Sequence, residues 1–283
     1  MREDGSLKAY EAIIFGKNKL DGFVENPKFE SELFLAYALG IDRFKLLLKK
    51  EEEIQQNILN EFTRLIDLRC SGIPYQYIVE KQYFMGMEFY VNKNVLIPRP
   101  ETEILVEEVL KRIKDNSIIL DIGTGSGAIA VSIGRIFDKC SIYAVDISNA
   151  ALDVAKINAK RNGVYNKIKF INSDIYKNIP KGLKFDFIVS NPPYIKEKDM
   201  NLLQIEVKNE PEIALNGGKD GLNYYRRIID FAPEYLKKGS FIVFEIGFDQ
   251  GMDVYDMLKN QGFYDIEIKK DFSKKDRIII AKF

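Results

Sequence analysis

The sequence predicts an α/β protein: a mainly parallel, doubly wound sheet preceded by a small helical domain. Three observations carry this. From residue 117 onward, short continuous apolar runs alternate with helix-period segments, as buried parallel strands and their crossover helices do. The first eighty residues carry only helix-period patterns. Between the two lies a stretch rich in proline, glycine and aromatic residues, and the spacing changes across it.

In the N-terminal part, Leu7 to Phe15 reads as a short amphipathic helix. Phe29 to Leu39 reads as a second, stopped by Gly40. Ile54 to Cys70 repeats the pattern with Ile54, Ile58, Phe62, Leu65 and Ile66, and ends before Gly72 and Pro74. Tyr83 to Val91 reads as two short strands around Gly86. The expected division is a helical domain over 1–79, a β-hairpin linker over 80–97 and an α/β domain over 98–283. That domain opens with a helix from Thr102 to Lys114, with Glu101 and Glu103 complementing the dipole at its start. Strands are then expected at Ser117–Ile122, Ser141–Ile147, Ile168–Ser173, Phe185–Ser190, Phe241–Ile246, Phe263–Lys270 and Arg277–Lys282. Helices are expected at Gly127–Phe137, Ser148–Asn162, Asn223–Leu236 and Met252–Gln261. The polar stretch Asp199 to Asn209 is expected to be a mobile loop near the site.

Composition narrows the chemistry. The chain has 283 residues, 46% of them hydrophobic and 30% charged, as in a globular protein of one large or two unequal domains. No apolar run is long enough to span a bilayer, and Met1 to Tyr10 lacks a signal-peptide pattern; a cytoplasmic protein is expected. Cys70 and Cys140 have no metal-ligand spacing and fit a reducing compartment. The chain has no histidine, which removes the commonest general base and zinc ligand, so no metal site is expected. Lys plus Arg and Asp plus Glu both number 42, and this balance counts against a non-specific nucleic-acid binder.

The first strand runs into Asp121-Ile-Gly123-Thr124-Gly125-Ser126-Gly127. Glycines there let the chain turn sharply and let a ligand approach the backbone, and the next helix offers free N–H groups. The second strand ends at Asp146, suited to accept from ribose hydroxyls. The dinucleotide fingerprint is G-x-G-x-x-G; this loop is G-x-G-x-G. The difference favours a nucleoside cofactor without a pyrophosphate, and S-adenosylmethionine, with S-adenosylhomocysteine as its product, fits. Asp174 and Ile175, after the third strand, are candidates for the adenine end, though Asp174 equally suits a turn cap.

The fourth strand ends in Asn191-Pro192-Pro193-Tyr194. Carboxyl ends of parallel strands are where open sheets place chemistry. The prolines stiffen the backbone and leave its carbonyls free. A planar amide or aromatic amine nitrogen is a poor nucleophile, its lone pair delocalised. If Asn191 Oδ1 accepts one of its N–H groups and the Pro192 carbonyl the other, the lone pair can be aimed at a methyl donor. Such alignment is worth ~7–11 kcal/mol. Tyr194 would lie against the planar group. Asn191 is therefore a candidate for both the cofactor and the acceptor side, and Glu245, at a strand end, is open to a site or a structural role.

At these residues the sequence resembles the class I amino-methyltransferases, whose fold has a seven-stranded, mainly parallel sheet. Within them, Arg69-Cys-Ser-Gly72-Ile-Pro74-Tyr-Gln-Tyr77, Phe84-Met-Gly86, Val95-Leu-Ile-Pro-Arg-Pro-Glu-Thr-Glu103, Glu210 to Gly221 and Phe244-Glu-Ile-Gly247 resemble the HemK/PrmC family. That resemblance implies methylation of the glutamine side-chain amide in the Gly-Gly-Gln segment of peptide chain release factors. It implies Asn191, Pro192 and Tyr194 at the reacting amide, Gly123–Gly127 at the methionine part, Asp146 at the ribose, and a helical domain that touches the protein substrate. A monomer with no direct nucleic-acid or membrane partner is expected. Alternatives are a ribosomal-protein glutamine methyltransferase, a nucleic-acid adenine methyltransferase, a non-catalytic cofactor-binding module and a dehydrogenase.

Overall fold

The computed structural model describes residues 7–283, in two compact units. One runs through Glu80 and takes in Gln204–Asn209; the other holds Lys81–Leu203 and Glu210–Phe283.

The first unit contains β1 (Leu7–Lys8), α1 (Ala9–Leu20), α2 (Pro27–Leu39), α3 (Arg43–Leu48), β2 (Glu53–Ile54), α4 (Gln56–Cys70) and α5 (Tyr75–Ile78). Ala12, Leu20, Phe34, Leu35, Phe62, Leu65 and Ile66 fill its core. Pro27 opens α2, where its missing N–H costs nothing. Gly40, at φ +66°, closes it by donating to the Ala36 and Tyr37 carbonyls. Gly16 allows the helices to approach closely: a Cβ there would lie 2.4 Å from Ser31 Oγ and 2.6 Å from the Phe62 ring.

Two expectations change here. Ile54 is not helical but pairs in β2 with Leu7. The polar stretch after residue 198 is ordered as a 3₁₀ turn, Glu197–Leu202, and a one-turn helix, Ile205–Lys208. The Arg69 guanidinium explains the second change. It is 5% exposed, donates to Glu30 at 2.6 Å and is also bonded to Glu206. A buried guanidinium without such partners would be strongly destabilising. Asn209 Nδ2 adds a bond to the Gly72 carbonyl at 3.0 Å.

The second unit opens with a hairpin, β3 (Lys81–Phe84) and β4 (Met87–Tyr90). Its turn residues Met85 and Gly86 both have positive φ, the backbone of a type I′ turn. There follow α6 (Thr102–Leu110), β5 (Ser117–Ile122), α7 (Ala128–Ile136), β6 (Cys140–Asp146), α8 (Asn149–Arg161), β7 (Ile168–Asn172), β8 (Phe185–Ser190), α9 (Asn223–Tyr235), β9 (Leu236–Glu245), α10 (Gly251–Asn260), β10 (Tyr264–Lys270) and β11 (Asp276–Lys282). The seven-stranded sheet has the order β10-β11-β9-β8-β5-β6-β7. Strands β5 to β9 pair in parallel, and β11 is antiparallel to both β9 and β10.

Each central strand is buried on both faces, so its side chains divide by period two. Ile119, Phe187 and Val189 pack on one face with α6, α7, α8 and the hairpin. Leu120, Ile122 and Ile188 pack on the other with α9 and α10. β5 and β8 have the bounds their apolar runs predict. β9 begins five residues earlier than Phe241, because Leu236 already pairs with Phe185 before a bulge.

Candidate active site

The strand order brings the carboxyl ends of β5, β6, β7 and β8 to one cleft. Gly123, Thr124, Gly125, Ser126, Asp146, Asp174, Ile175, Asn191, Pro192 and Pro193 line it, together with Arg99, Thr102 and Arg227. Gly127 and Tyr194 stand behind the wall rather than on it.

The glycine loop owes its shape to three positive φ angles: 71° at Gly123, 56° at Gly125 and 81° at Gly127. The first two face open space, since a Cβ on Gly123 would meet nothing within 4 Å and one on Gly125 only the Gly123 carbonyl at 4.0 Å. Gly127 differs: a Cβ there would lie 3.1 Å from that of Ala155, so this glycine serves the packing of α7 on α8. The loop is tied to β6 by the Gly123 and Thr124 N–H groups, both bonded to the Val145 carbonyl at 2.9 Å. Behind it, buried Asn158 donates to the Ser126 carbonyl at 2.8 Å and to Tyr90 at 2.9 Å, locking loop and hairpin together.

Three carboxylates surround the loop. Asp146 accepts from Gly125 N–H and Ser148 N–H, one on each oxygen and both at 2.9 Å. Each oxygen keeps a lone pair for another donor. Burial raises its pKa, and backbone N–H groups of Ser148, Gly125 and Ile147 pull it back. Asp121 lies fully buried beneath the loop. Thr124 Oγ1 donates to its Oδ2 at 2.6 Å, while Oδ1 has no partner among the described residues. Burial, with the nearby Asp146 charge, pushes Asp121 up to about 7, against the Thr124 hydroxyl and the Ala130 backbone N–H. Asp174, at the far end of the cleft, is engaged by Arg227 at 2.7 and 2.8 Å.

The Asn191–Tyr194 segment is braced from several sides. Ser190 Oγ donates to the Ile122 carbonyl at 2.6 Å, holding β8 on β5. Gln250 Nε2 donates to the Tyr194 carbonyl at 3.0 Å. Gly217 packs so close that a Cβ would lie 2.8 Å from both the Pro193 carbonyl and Tyr194 Cα. Asn191 Nδ2 donates to Thr102 Oγ1 at 3.2 Å, and Thr102 Oγ1 donates to Glu245 Oε2 at 2.5 Å. The Tyr194 hydroxyl reaches Glu245 Oε1 at 3.4 Å. Burial lifts Glu245 to about 7 and, with the Glu245 charge, pushes Tyr194 upward too. No donor among the described residues reaches Asn191 Oδ1 or the Pro192 carbonyl, so two acceptors remain side by side at the cleft.

Comparison with known proteins places the chain in a family. Residues 100–219 match the family model of the methyltransferase small domain, and residues 11–79 that of the PrmC N-terminal domain. A release factor glutamine methyltransferase from Clostridium acetobutylicum is 42% identical over 99% of this chain and 97% of its own length. One from Bacillus subtilis is 43% identical over 96% of each. The chain belongs to the release factor glutamine methyltransferase family. Solved structures show the fold at lower identity. A methyltransferase from Pyrococcus furiosus superposes with a TM-score of 0.54 at 18% identity, over 70% of this chain and 89% of that one. A T. thermophilus 16S rRNA N2 methyltransferase in complex with AdoMet and guanosine gives 0.53 at 17%, over 71% and 49%.

Four residues of this family member gain a place that sequence reasoning did not assign. Thr102 and Glu245 join Asn191 across 143 residues of chain, Asp121 sits under the loop, and Arg227 holds Asp174. Glu245 carried a signal in the sequence as an acidic residue ending an apolar strand, Asp121 as the head of the glycine loop and Thr102 as part of the stretch that resembles the HemK/PrmC family; Arg227 carried none.

Proposed function

We propose that this chain transfers a methyl group from S-adenosylmethionine to the side-chain amide nitrogen of the glutamine in the Gly-Gly-Gln segment of peptide chain release factors. The observation that carries the reading is the pair of free acceptors, Asn191 Oδ1 and the Pro192 carbonyl, on a stiff segment at the cleft. A primary amide has two N–H groups in one plane, and two adjacent acceptors match them. The names of the relatives, at about 40% identity over nearly the whole chain, support the acceptor.

The residues fit the cofactor. The open space beside Gly123 and Gly125 admits a ligand against the backbone, and the partnerless Asp121 Oδ1 is the kind of atom a cationic amine satisfies. Gly123, Thr124, Gly125 and Ser126 would hold the methionine part, with Gly127 packing the loop's helix behind them, Asp146 the ribose, Asp174 and Ile175 the adenine end, and Asn191 the boundary with the acceptor. When bound, S-adenosylmethionine supplies an electrophilic methyl on a sulfonium centre. Asn191 and Pro192 hold both N–H groups of the acceptor, restrain its rotation and favour the positive charge that develops on nitrogen. Transfer of that methyl would leave S-adenosylhomocysteine, which would keep the electron pair of the broken carbon–sulfur bond, and the methylated amide held by Asn191 and Pro192 would lose one N–H proton to water. No base is needed before transfer, which suits a chain without histidine. Pro193 keeps the segment rigid, and Tyr194 anchors it through Glu245. The N-terminal part, residues 1–79, would serve recognition of the protein acceptor. On this reading the enzyme works as a monomer in the cytoplasm, where release factors act.

Radiolabelled S-adenosylmethionine tests this with three acceptors: a release factor, its Gln-to-Ala version at Gly-Gly-Gln, and duplex DNA. Label on the intact factor alone is the expected result. Label on DNA, or equally on the altered factor, would overturn the acceptor.

A further inference from the structure

We infer that Thr102, held by the Glu245 carboxylate, dictates which end of the Asn191 amide faces the cleft and is thereby a positioning residue for methyl transfer. The inference rests on the acceptor reading above.

Asn191 can serve a substrate amide in only one of its two orientations. With Oδ1 toward the cleft it accepts an N–H. Flipped, it would set its own NH2 group against that of the acceptor. The two ends of an asparagine amide differ little in size, so shape alone does not choose between them. Hydrogen bonding does. Glu245, at the end of β9, is 1% exposed, and Thr102, the first residue of α6, is 4% exposed, so water does not compete for either. Thr102 Oγ1 lies 2.5 Å from Glu245 Oε2 and 3.2 Å from Asn191 Nδ2.

A threonine hydroxyl has one proton, and an ionised carboxylate has none. Whenever Glu245 is ionised, the proton therefore lies between Thr102 and Glu245. Oγ1 then offers only lone pairs to Asn191, and the atom that answers must be Nδ2. Oδ1 is left for the cleft. Reversing Asn191 would place two acceptor oxygens against each other, or would take the proton from the Glu245 contact. The chain of bonds runs in one direction, Asn191 to Thr102 to Glu245. In such a chain each bond strengthens the next, which makes Oδ1 a better acceptor for the substrate N–H. The Tyr194 hydroxyl on the second carboxylate oxygen, at 3.4 Å, ties the other end of the same four-residue segment to the same anchor.

The test compares Thr102→Val, which keeps the side-chain shape and removes the hydroxyl, with Thr102→Ser, which keeps it. Initial rates on an intact release factor, the dissociation constant for S-adenosylmethionine and a thermal melt are measured for each. Thr102→Val should lower kcat by ~100-fold, the scale of a small misplacement of a reacting group, with cofactor affinity unchanged. Thr102→Ser should recover most of that loss. Equal rates in wild type and Thr102→Val would overturn the inference. So would equal loss in both variants, or a loss of cofactor binding in Thr102→Val that accounts for the rate. If Thr102→Val also lowers the melting temperature, Glu245→Gln decides: glutamine offers Thr102 either a donor or an acceptor, so orientation is no longer imposed. A fall in kcat on the order of tenfold is then expected, and no fall would overturn the inference. A wild-type enzyme that leaves the release factor unlabelled would overturn the acceptor reading itself, a result distinct from all of these.

Discussion

Asp121 offers a test of the site's electrostatics that needs no substrate. It lies fully buried, with one oxygen bonded to Thr124 and the other without a partner among the described residues. Burial, partly offset by the Thr124 bond, lifts it from 3.8 to about 7. In the unfolded chain the same group ionises near its ordinary value. Between those values the folded protein binds the extra proton, so its stability falls as pH rises and levels off above about 7. At ~1.4 kcal/mol per pH unit, the interval from pH 5 to about 7 weakens the cofactor-free wild type by roughly 2–3 kcal/mol. Asp121→Asn removes this titration. It leaves an unpaired amide N–H at a cost of ~1–3 kcal/mol, but that cost does not vary with pH and drops out of the comparison. Urea denaturation of both proteins at pH 5 and pH 8 should therefore show the variant gaining about 2–3 kcal/mol on the wild type between the two. Glu245 titrates in the same range in both proteins and cancels. A constant difference at the two pH values would refute the reasoning, because Asp121 would then be ionised in the folded protein throughout that range.

Other predictions concern the cleft directly. Asn191→Ala should lower kcat by ~100-fold or more while leaving cofactor affinity largely intact; unchanged turnover would remove Asn191 from the mechanism. Asp146→Ala should weaken S-adenosylmethionine binding by about 1.5–3 kcal/mol, the value of hydrogen bonds to a charged group, and an unaltered calorimetric titration would break the ribose assignment. Gly127→Ala should destabilise the fold by at least ~1–2 kcal/mol, since φ is +81° and the new Cβ would lie 3.1 Å from Ala155; an unchanged urea midpoint would contradict that strain. Glu245 is lifted to about 7 by burial and by Glu101, with Thr102, Arg277 and Tyr194 pulling it down. Its ionised form orients Thr102, so kcat should fall as pH drops through about 7, and Glu245→Gln should lose that limb of the profile.

What the sequence made legible follows from how each feature is encoded. β5 and β8 were readable to the residue because both faces are buried and turn residues bound the apolar run. The glycine loop, Asp146 and Asn191–Tyr194 were readable because each is contiguous or ends a strand. α3 was not, since six residues are too few for a helical period to declare itself. β9 hid its first half because Lys237, Lys238 and Gly239 interrupt its apolar pattern. The Thr102–Glu245 bond spans 143 residues and exists only because the sheet order sets the end of β9 beside that of β8. Asp174 shows the same limit at shorter range. Its position after β7 was readable, whereas its ion pair with Arg227, 53 residues away, was not.

The absence of histidine and the presence of two fully buried carboxyl groups are parts of one design. An amide nitrogen keeps its protons until it is alkylated, so a strong base would have nothing to remove beforehand. The requirement is instead for acceptors that hold both protons and stay in place. Acceptors on a proline-stiffened segment supply the placement, and a hydrogen-bond chain ending on Glu245 supplies the orientation. A neutral anchor could not do the same, because a group able to both donate and accept leaves the direction of the chain open. An ionised carboxylate only accepts. Its burial costs stability, and the lifted pKa values of Glu245 and Asp121 are the measure of that cost. Residues selected for packing alone would avoid it. That both carboxyl groups are buried beside the cleft, one under the glycine loop and one behind Asn191, is the sign that this part of the core is arranged for the reaction rather than for the fold.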